Sequence, residues 1–427
     1  MSTEQTLPTR EHYDVIVIGG GPAGSTAGTL VARQGRDVLL LDREQFPRFR
    51  LGESLMPATY WTLERLGVLE QLGASHFPEK HSVQFYSKSG KAGVPFYFRD
   101  TESHRSSQTW QVERAEFDKL LLDNSSASGV EVCQRANVRE VLFEGTRATG
   151  VDVELADGSR LRPRAKVIID ATGQTALISR KLGLKEVDPK LRHSAFYTRY
   201  RGARRDEGDA AGATLILHTE DERSWFWFIP LPDDQVSVGV VGPVDYLLTS
   251  RQGGPEKIFR EELARCPALQ QRLECAERSQ DVGAMRDFSY ISRRIAGEGW
   301  VLAGDAFGFL DPIYSSGVFL ALKSGEGAAD SINDAFKHED FSAERLGAHG
   351  AEYVAGMEAM RKLVYAYYDR GFSFASFFKK HPECQDDVVN LLIGNVFRKS
   401  FDGLFDSMAE FCELPGSRRL DAVEAPQ

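Results

Sequence analysis

Cysteine is scarce in this sequence, and what there is does not pair. Cys133, Cys266, Cys275, Cys384 and Cys412 are odd in number, scattered, and never form a CxxC. This excludes a disulfide framework and a thiol-based zinc or redox motif, and it fits a reducing compartment. No metal is expected. Long apolar runs are missing too. No stretch reaches the roughly 18 apolar residues needed to span a bilayer. The opening MSTEQTLPTREHYD lacks the apolar segment of a secretory signal. A cytoplasmic protein with no membrane partner is expected. The third deficit is positive charge: 52 Lys and Arg stand against 62 Asp and Glu, a formal net charge of -10. A nucleic-acid or anionic-membrane binder needs a basic face, so nucleic acid is not an expected partner either.

What is present begins with a buried strand. Tyr13-Asp14-Val15-Ile16-Val17-Ile18 is a β-branched run of the kind found in parallel sheets. A glycine turn follows, then a helix from Ala23 to Gln34 ended by Gly35, then a second buried strand, Asp37 to Asp42. This βαβ unit opens a doubly wound sheet. The turn is Gly19-Gly20-Gly21-Pro22-Ala23-Gly24, which contains GxGxxG. Gly19 permits the bend, Gly21 lets backbone approach a pyrophosphate, and Gly24 lets helix and strand pack closely. The helix start at Ala23 then offers free N–H groups to the phosphates. Asp42, at the end of the second strand, is placed to accept hydrogen bonds from ribose hydroxyls. These features together point to a dinucleotide.

Further along, Glu113 to Ser125 reads as a helix, and Val130 to Ala156 as a small antiparallel meander closed by the Asp157-Gly158 turn. Lys166 to Asp170 is another buried strand, ending in Ala171-Thr172-Gly173. Residues 193 to 245 alternate aromatic and β-branched positions, as a second, antiparallel sheet would. Gly299 to Asp305 returns to the first sheet. The expected organisation is α/β: a discontinuous Rossmann-like dinucleotide-binding domain (1–80, 105–185 and 285–345), an antiparallel-sheet substrate domain (81–104 and 186–284) and a helical carboxy-terminal region (346–427). That last region carries Tyr365, Tyr367, Tyr368, Phe372, Phe374, Phe377 and Phe378 at helical spacing. Packing against the main body is the plain reading; a lid over the substrate opening is the sharper one.

The glycine turn, Asp170-Ala171-Thr172-Gly173 and Gly304-Asp305 together resemble the three-part pattern of the para-hydroxybenzoate hydroxylase-type flavoproteins, over about residues 12 to 330. The resemblance implies FAD. By it, Asp305 bonds the ribityl chain, Arg114 reaches the cofactor and Val138 meets the adenine. The Arg50-Leu51-Gly52-Glu53-Ser54 stretch runs beside the flavin, which brings Arg50, Gly52 and Ser54 into the site, and Gly317 and Val318 join them. No second GxGxxG serves a nicotinamide; Gly239-Val240-Val241-Gly242 has the wrong spacing.

Three further elements resemble the flavin-dependent halogenases. Trp225 and Trp227 in Ser224-Trp225-Phe226-Trp227-Phe228-Ile229-Pro230 form WxWxIP, and strand alternation puts both indoles on one face. Read alone they are core aromatics; the resemblance makes them the pair that keeps substrate from the oxidised flavin species. Phe309 to Gly317 is similar to the family's F-x-x-P-x-x-S-x-G segment, where the N–H groups of Ser316 and Gly317 would suit a halide. Lys80, in Phe77-Pro78-Glu79-Lys80, stands where the family's essential lysine stands; Lys88 and Lys91 flank a turn and read as exposed. Tyr314 occupies the position at which tryptophan-acting members carry a Glu, which places the chain with the phenol- and pyrrole-acting branch.

The resemblance implies an oxidoreductase of secondary metabolism. A separate flavin reductase supplies reduced FAD, dioxygen gives a flavin hydroperoxide, and chloride or bromide is oxidised to hypohalous acid. Lys80 then passes the halogen to an electron-rich aromatic, free or tethered to a carrier protein. Three other readings share the scaffold: an aromatic monooxygenase, a reductase resembling geranylgeranyl reductases, and a non-catalytic FAD-binding protein.

Overall fold

Val15, Ile16 and Val17 are fully buried, which is why this strand reads as a continuous apolar run instead of an alternating one. In the computed structural model, which describes residues 8–286 and 288–421, β1 (His12–Ile18) lies at the centre of the first sheet. It is followed by α1 (Pro22–Ala32) and β2 (Val38–Asp42). Both neighbours of β1 are parallel to it: Ile16 faces Leu39 of β2 on one side and Ile168 of the strand Arg164–Asp170 on the other. Trp300–Leu302 extends the parallel set next to Arg164–Asp170. The carboxyl ends of these strands carry Gly19, Asp42, Ala171 and Gly304, so the edge where the chain order reverses is lined by turns.

One part of the expected meander falls elsewhere. Glu131–Gln134 joins the parallel sheet beside β2, with Leu40 opposite Val132. Only Asn137–Glu144 and Arg147–Glu154 form the antiparallel hairpin, and the Asp157–Gly158 turn joins the second of these to the short strand Arg160–Leu161. Alternation within 130–156 could not separate the two, because a parallel edge strand exposed on one side also alternates.

The second sheet contains His193–Arg201, Gln235–Pro243, Trp225–Pro230 and Thr214–His218 in antiparallel succession. It departs from the antiparallel expectation at one edge, where Thr214–His218 pairs in parallel with Ser82–Tyr86. Its two faces differ. Phe226, Phe228, Val238 and Val240 pack under the helix Gly254–Leu263, whereas Trp225, Trp227, Ile229 and Val241 join the core shared with the first sheet.

The long helix Ser316–His338 lies along α1, and the crossing is close because small residues face each other. A Cβ on Gly325 would come 2.5 Å from the Ala23 carbonyl. The carboxy-terminal aromatic stripe is split between two helices, Gly350–Tyr368 and Phe374–Lys380, with Phe372 in the loop between them and Met357, Met360, Leu363 and Phe377 buried. Among the described residues no helix is long and apolar enough to cross a membrane.

Gly24 is the tightest point of the α1 turn: a Cβ there would overlap the Gly19 carbonyl and sit 3.1 Å from Val17 Cγ1. Gly24→Ala is therefore expected to destabilise the fold by about 2–3 kcal/mol, the scale of overpacking against backbone. Urea unfolding of the variant beside the wild type measures it; an unchanged midpoint would contradict this packing.

Candidate active site

The turn after β1 builds an anion site from its own geometry. Gly19 has φ +105, a left-handed conformation that side chains avoid, and a Cβ there would overlap the Ala171 carbonyl. Gly21 is different. Its φ is −71, and the nearest protein atom to a Cβ would be Arg48 Nη2 at 3.6 Å. Nothing in the fold needs glycine at 21; the open space lies on the side of the cavity. The first amides of α1 point the same way, with the positive end of the helix dipole behind them.

A cavity of about 430 Å³ runs from this turn in both directions. One end is lined by Asp42, Val138 and Arg43, the middle by Gly19, Gly21 and Ala23, and the other end by Asp305, Trp227 and Pro312. Arg50, Gly52, Ser54, Arg114, Gly317 and Val318 also line it. Asp42 Oδ2 accepts from the Gly20 amide at 2.7 Å and Oδ1 from the Glu44 amide at 2.8 Å. Its carboxylate thus holds the turn while keeping lone pairs towards the cavity. Asp305 is half-buried on the cavity wall, and the surrounding protein pushes its carboxyl up to about 6 against the opposing pull of Arg114 and Lys185. The donor set fits a long dinucleotide: amides and a helix end at mid-length, a carboxylate at each end, and apolar walls beyond Asp305.

Arg114 holds that wall together. It forms a two-pronged pair with Asp118, Nε to Oδ1 at 2.8 Å and Nη2 to Oδ2 at 3.0 Å, and Nη1 donates to the Leu51 carbonyl. Gly52, at φ +100, gives the guanidinium room. Arg48, which sequence reasoning missed, joins the same Asp118 at 2.7 Å. Arg50 is more exposed and pairs with Glu44 at 2.6 Å. Asp170, buried, accepts from the amides of Thr172 and Ile178 and from the Thr172 hydroxyl, so the Asp-Ala-Thr-Gly segment braces the loop against Gly19.

At the ring end, Trp227 lines the cavity, and its indole Nε1 donates to Ser237 Oγ at 3.1 Å. It lies across Gly239 of the neighbouring strand, where any Cβ would overlap the indole. The glycine pair that has the wrong spacing for a nicotinamide motif thus supplies a seat for a tryptophan. Trp225 is on the same face, 6.4 Å from Trp227 between ring centres, but does not line the cavity. Its Nε1 donates to the Tyr368 hydroxyl at 3.0 Å, and that hydroxyl donates to the buried Asp311 carboxylate at 3.0 Å. Tyr368 therefore ties the carboxy-terminal helix to both the tryptophan strand and the loop before Ser316.

Ser315 adopts a left-handed conformation, φ 58, and opens the helix Ser316–His338. The amides of Ser316 and Gly317 precede the first intrahelical bond of that helix. Gly317 and Ser315 line the cavity; Ser316 is buried and does not. Tyr314 is buried and donates to the Leu363 carbonyl at 3.3 Å.

Lys80 is the most unusual side chain of the site. It is 2% exposed, on the short strand Glu79–Lys80 that pairs with Thr109–Trp110. Nζ donates to Ser54 Oγ at 2.8 Å and to the Leu55 carbonyl at 2.9 Å, and it stands 5.5 Å from the centre of the Phe98 ring. Burial lowers its amine to about 7, with no carboxylate among the described residues offsetting the loss of water. Lys80 does not line the cavity; Ser54 and Thr214, which do, separate it from that space. Lys88 and Lys91 are exposed, and Lys88 pairs with Glu222. Among the described residues no His, Cys, Asp and Glu cluster could hold a metal ion.

The family model described as FAD binding domain matches residues 12–329. The 1H-pyrrole-2-carbonyl peptidyl-carrier-protein brominase of Pseudoalteromonas luteoviolacea is 33% identical, over 90% of this chain and 92% of its own. The corresponding chlorinase of Pseudomonas fluorescens is 31% identical, over 93% and 92%. Among solved structures, the flavin-dependent brominase Bmp2 matches with a TM-score of 0.84 at 32% identity, covering 93% of this chain and 98% of that one. The myxobacterial chondrochloren halogenase CndH matches with a TM-score of 0.79 at 32% identity, covering 94% and 96%.

Gly21 and Gly24 make a contrasting pair. Gly21→Val has room in the protein but fills the space beside the helix end, so it should melt like the wild type and bind FAD at least roughly tenfold more weakly. Flavin fluorescence titration next to a thermal melt tests this; full FAD affinity in Gly21→Val would remove the pyrophosphate from the turn.

Proposed function

The chain belongs to the flavin-dependent halogenases, enzymes that use FAD and a halide, and on that premise we propose that it halogenates an electron-rich ring of the pyrrole or phenol type through Lys80. Bound and reduced, FAD supplies with dioxygen the oxidising power that turns chloride or bromide into hypohalous acid. Gly19, Gly21, Ala23 and Gly24 cradle its pyrophosphate, Asp42 and Val138 the adenosine end, and Asp305, Arg50, Gly52, Arg114 and Val318 the rest. The amides of Ser316 and Gly317 receive the halide. Trp227 walls the ring end, and Trp225 backs it, so that organic substrate stays away from the flavin. A separate flavin reductase delivers the reduced cofactor, since no nicotinamide motif exists in the sequence.

The observation that carries this reading is the state of Lys80. A lysine on a surface is a solvated ammonium and a poor nucleophile. Here burial holds the amine at about 7, so the neutral form is well populated at neutral pH. Its lone pair can then take the halogen, and the N–H bonds to Ser54 and Leu55 fix where it stands. The aromatic monooxygenase reading gives no use for a buried amine lacking a counter-ion. Tyr314, engaged with the Leu363 carbonyl, leaves no carboxylate at the position where tryptophan-acting members have one. The two pyrrole-carrier relatives cover nearly the whole chain, which supports a ring delivered on a carrier protein.

Lys80→Ala should still bind FAD and oxidise its reduced form, yet lose halogenated product roughly a hundredfold or more, the scale of removing one essential group. Lys88→Ala and Lys91→Ala should change little. Product yield by mass spectrometry, against bromide and chloride and with free and carrier-tethered pyrrole, provides the readout. Near wild-type halogenation by Lys80→Ala would remove the lysine from the mechanism. Hydroxylated product at every halide concentration would favour the monooxygenase instead.

The pH dependence follows from the same group. Burial lowers the Lys80 pKa, so the neutral amine is lost as pH falls through about 7. The halogenation rate should rise through that region and level off above it, while flavin oxidation does not follow the same curve. A halogenation rate that falls across the same interval would contradict a neutral nucleophile.

A further inference from the structure

Lys80 is one end of a buried chain of polar side chains that no motif in the sequence marks. Ser54 Oγ and Thr214 Oγ1 are 2.8 Å apart. Gln111 Nε2 donates to Thr214 Oγ1 at 2.9 Å and to the Gly212 carbonyl at 2.8 Å. Ser54, Lys80, Gln111 and Thr214 are all at most 3% exposed. The Gly212 carbonyl can only accept, so the amide nitrogen of Gln111 must face it, and Thr214 Oγ1 must accept the other Gln111 hydrogen. Gly212 itself is fixed in place, because a Cβ there would overlap the Glu79 carbonyl beside Lys80.

This arrangement bears on the amine lone pair. A hydroxyl has one hydrogen and two acceptor positions. If the Ser54 hydrogen pointed at Nζ, it would occupy the lone pair and leave no nucleophile. Thr214 offers that hydrogen another acceptor. We propose that Thr214, oriented by Gln111, is a positioning residue for Lys80: it accepts the Ser54 hydroxyl hydrogen, so that Ser54 can only accept from the amine and the lone pair stays free for hypohalous acid. The inference rests on the halogenase reading of Lys80 given above. The step it serves is balanced. The amine lone pair forms the N–X bond, the X–O bond breaks, and the departing hydroxide takes one N–H proton as water. When the halogen passes to carbon, the ring's proton returns to nitrogen. The halogen keeps its oxidation level throughout.

Thr214→Val preserves shape and removes the acceptor. Two measurements test it. The first is the titration of Lys80 in enzyme without added flavin, followed by NMR with 13C at lysine Cε and assigned by Lys80→Arg. In Thr214→Val the Ser54 hydrogen turns to the amine, stabilises its neutral form, and moves the inflection below that of the wild type. The second is halogenated product per reduced flavin oxidised. It should fall roughly tenfold, the scale of one misdirected hydrogen bond. Thr214→Ser, which keeps the acceptor, should behave as wild type. The double variant Ser54→Ala with Thr214→Val removes the offending hydrogen but also one of the two acceptors holding the amine, so it should recover part of the loss, a non-additive cycle that general disruption does not produce. A wild-type titration and product yield in Thr214→Val, or a double variant no better than the single, would overturn the assignment. Wild-type enzyme that yields no halogenated product would instead remove the halogenase reading, and the titration would still decide whether Thr214 directs Ser54.

Discussion

An amine buried without a counter-ion is the constraint around which this molecule is arranged. Lowering a lysine from 10.5 to about 7 by burial corresponds to about 5 kcal/mol opposing protonation. Such a group persists only where its neighbours are fixed. The Leu55 carbonyl is fixed because the Leu55 amide bonds the Trp110 carbonyl, while Thr109 pairs with Lys80 itself. Phe98, beside Nζ, is in turn covered by Val389 and Ile393 of the carboxy-terminal region. The short ladder of Glu79–Lys80 with Thr109–Trp110, the second sheet through Thr214 and the carboxy-terminal helices all meet around this amine.

The cofactor end obeys a simpler rule. Close approach of backbone to backbone, at Gly19 and Gly24, brings a helix end to the edge of a parallel sheet. Everything else there is support. Arg114 and Arg48 share Asp118, and Asp170 binds its own loop. These charges pair with one another, which shapes the cavity wall and leaves the turn amides as donors on the cavity side.

Much of the cofactor end was legible in the sequence because its signals are local. A βαβ unit with its glycine turn occupies about thirty consecutive residues, and periodicity plus glycine chemistry suffice to read it. The shared face of Trp225 and Trp227 follows from strand alternation alone. The surroundings of Lys80 were not legible. Ser54, Gln111 and Thr214 are drawn from three distant segments, and Ser54 and Thr214 meet across 160 positions of chain. Ser54 was brought into the site only by resemblance, as a neighbour of the flavin, and Gln111 and Thr214 differ in nothing from ordinary buried polar residues. The same limit hid the pairing of Ser82–Tyr86 with Thr214–His218, since period-two alternation carries no information on strand direction. Lys80 itself was singled out only by resemblance; its burial and its bonds came from the fold.

The phenol oxygen of Tyr368 joins elements that descent or engineering would otherwise treat as separate modules. It receives a hydrogen from the Trp225 indole and gives one to Asp311, so a helix, a strand and a loop meet at one atom. Grafting the carboxy-terminal helices of a relative onto this chain would strand the Trp225 indole N–H and take one donor from Asp311, leaving it the Ile313 amide and His193, unless the graft brought a matching hydroxyl. Lineages that remodel the end of that helix must therefore change Trp225 and Asp311 in step with it, and a chimaera breakpoint between residues 350 and 368 is the one that most directly cuts across this dependence.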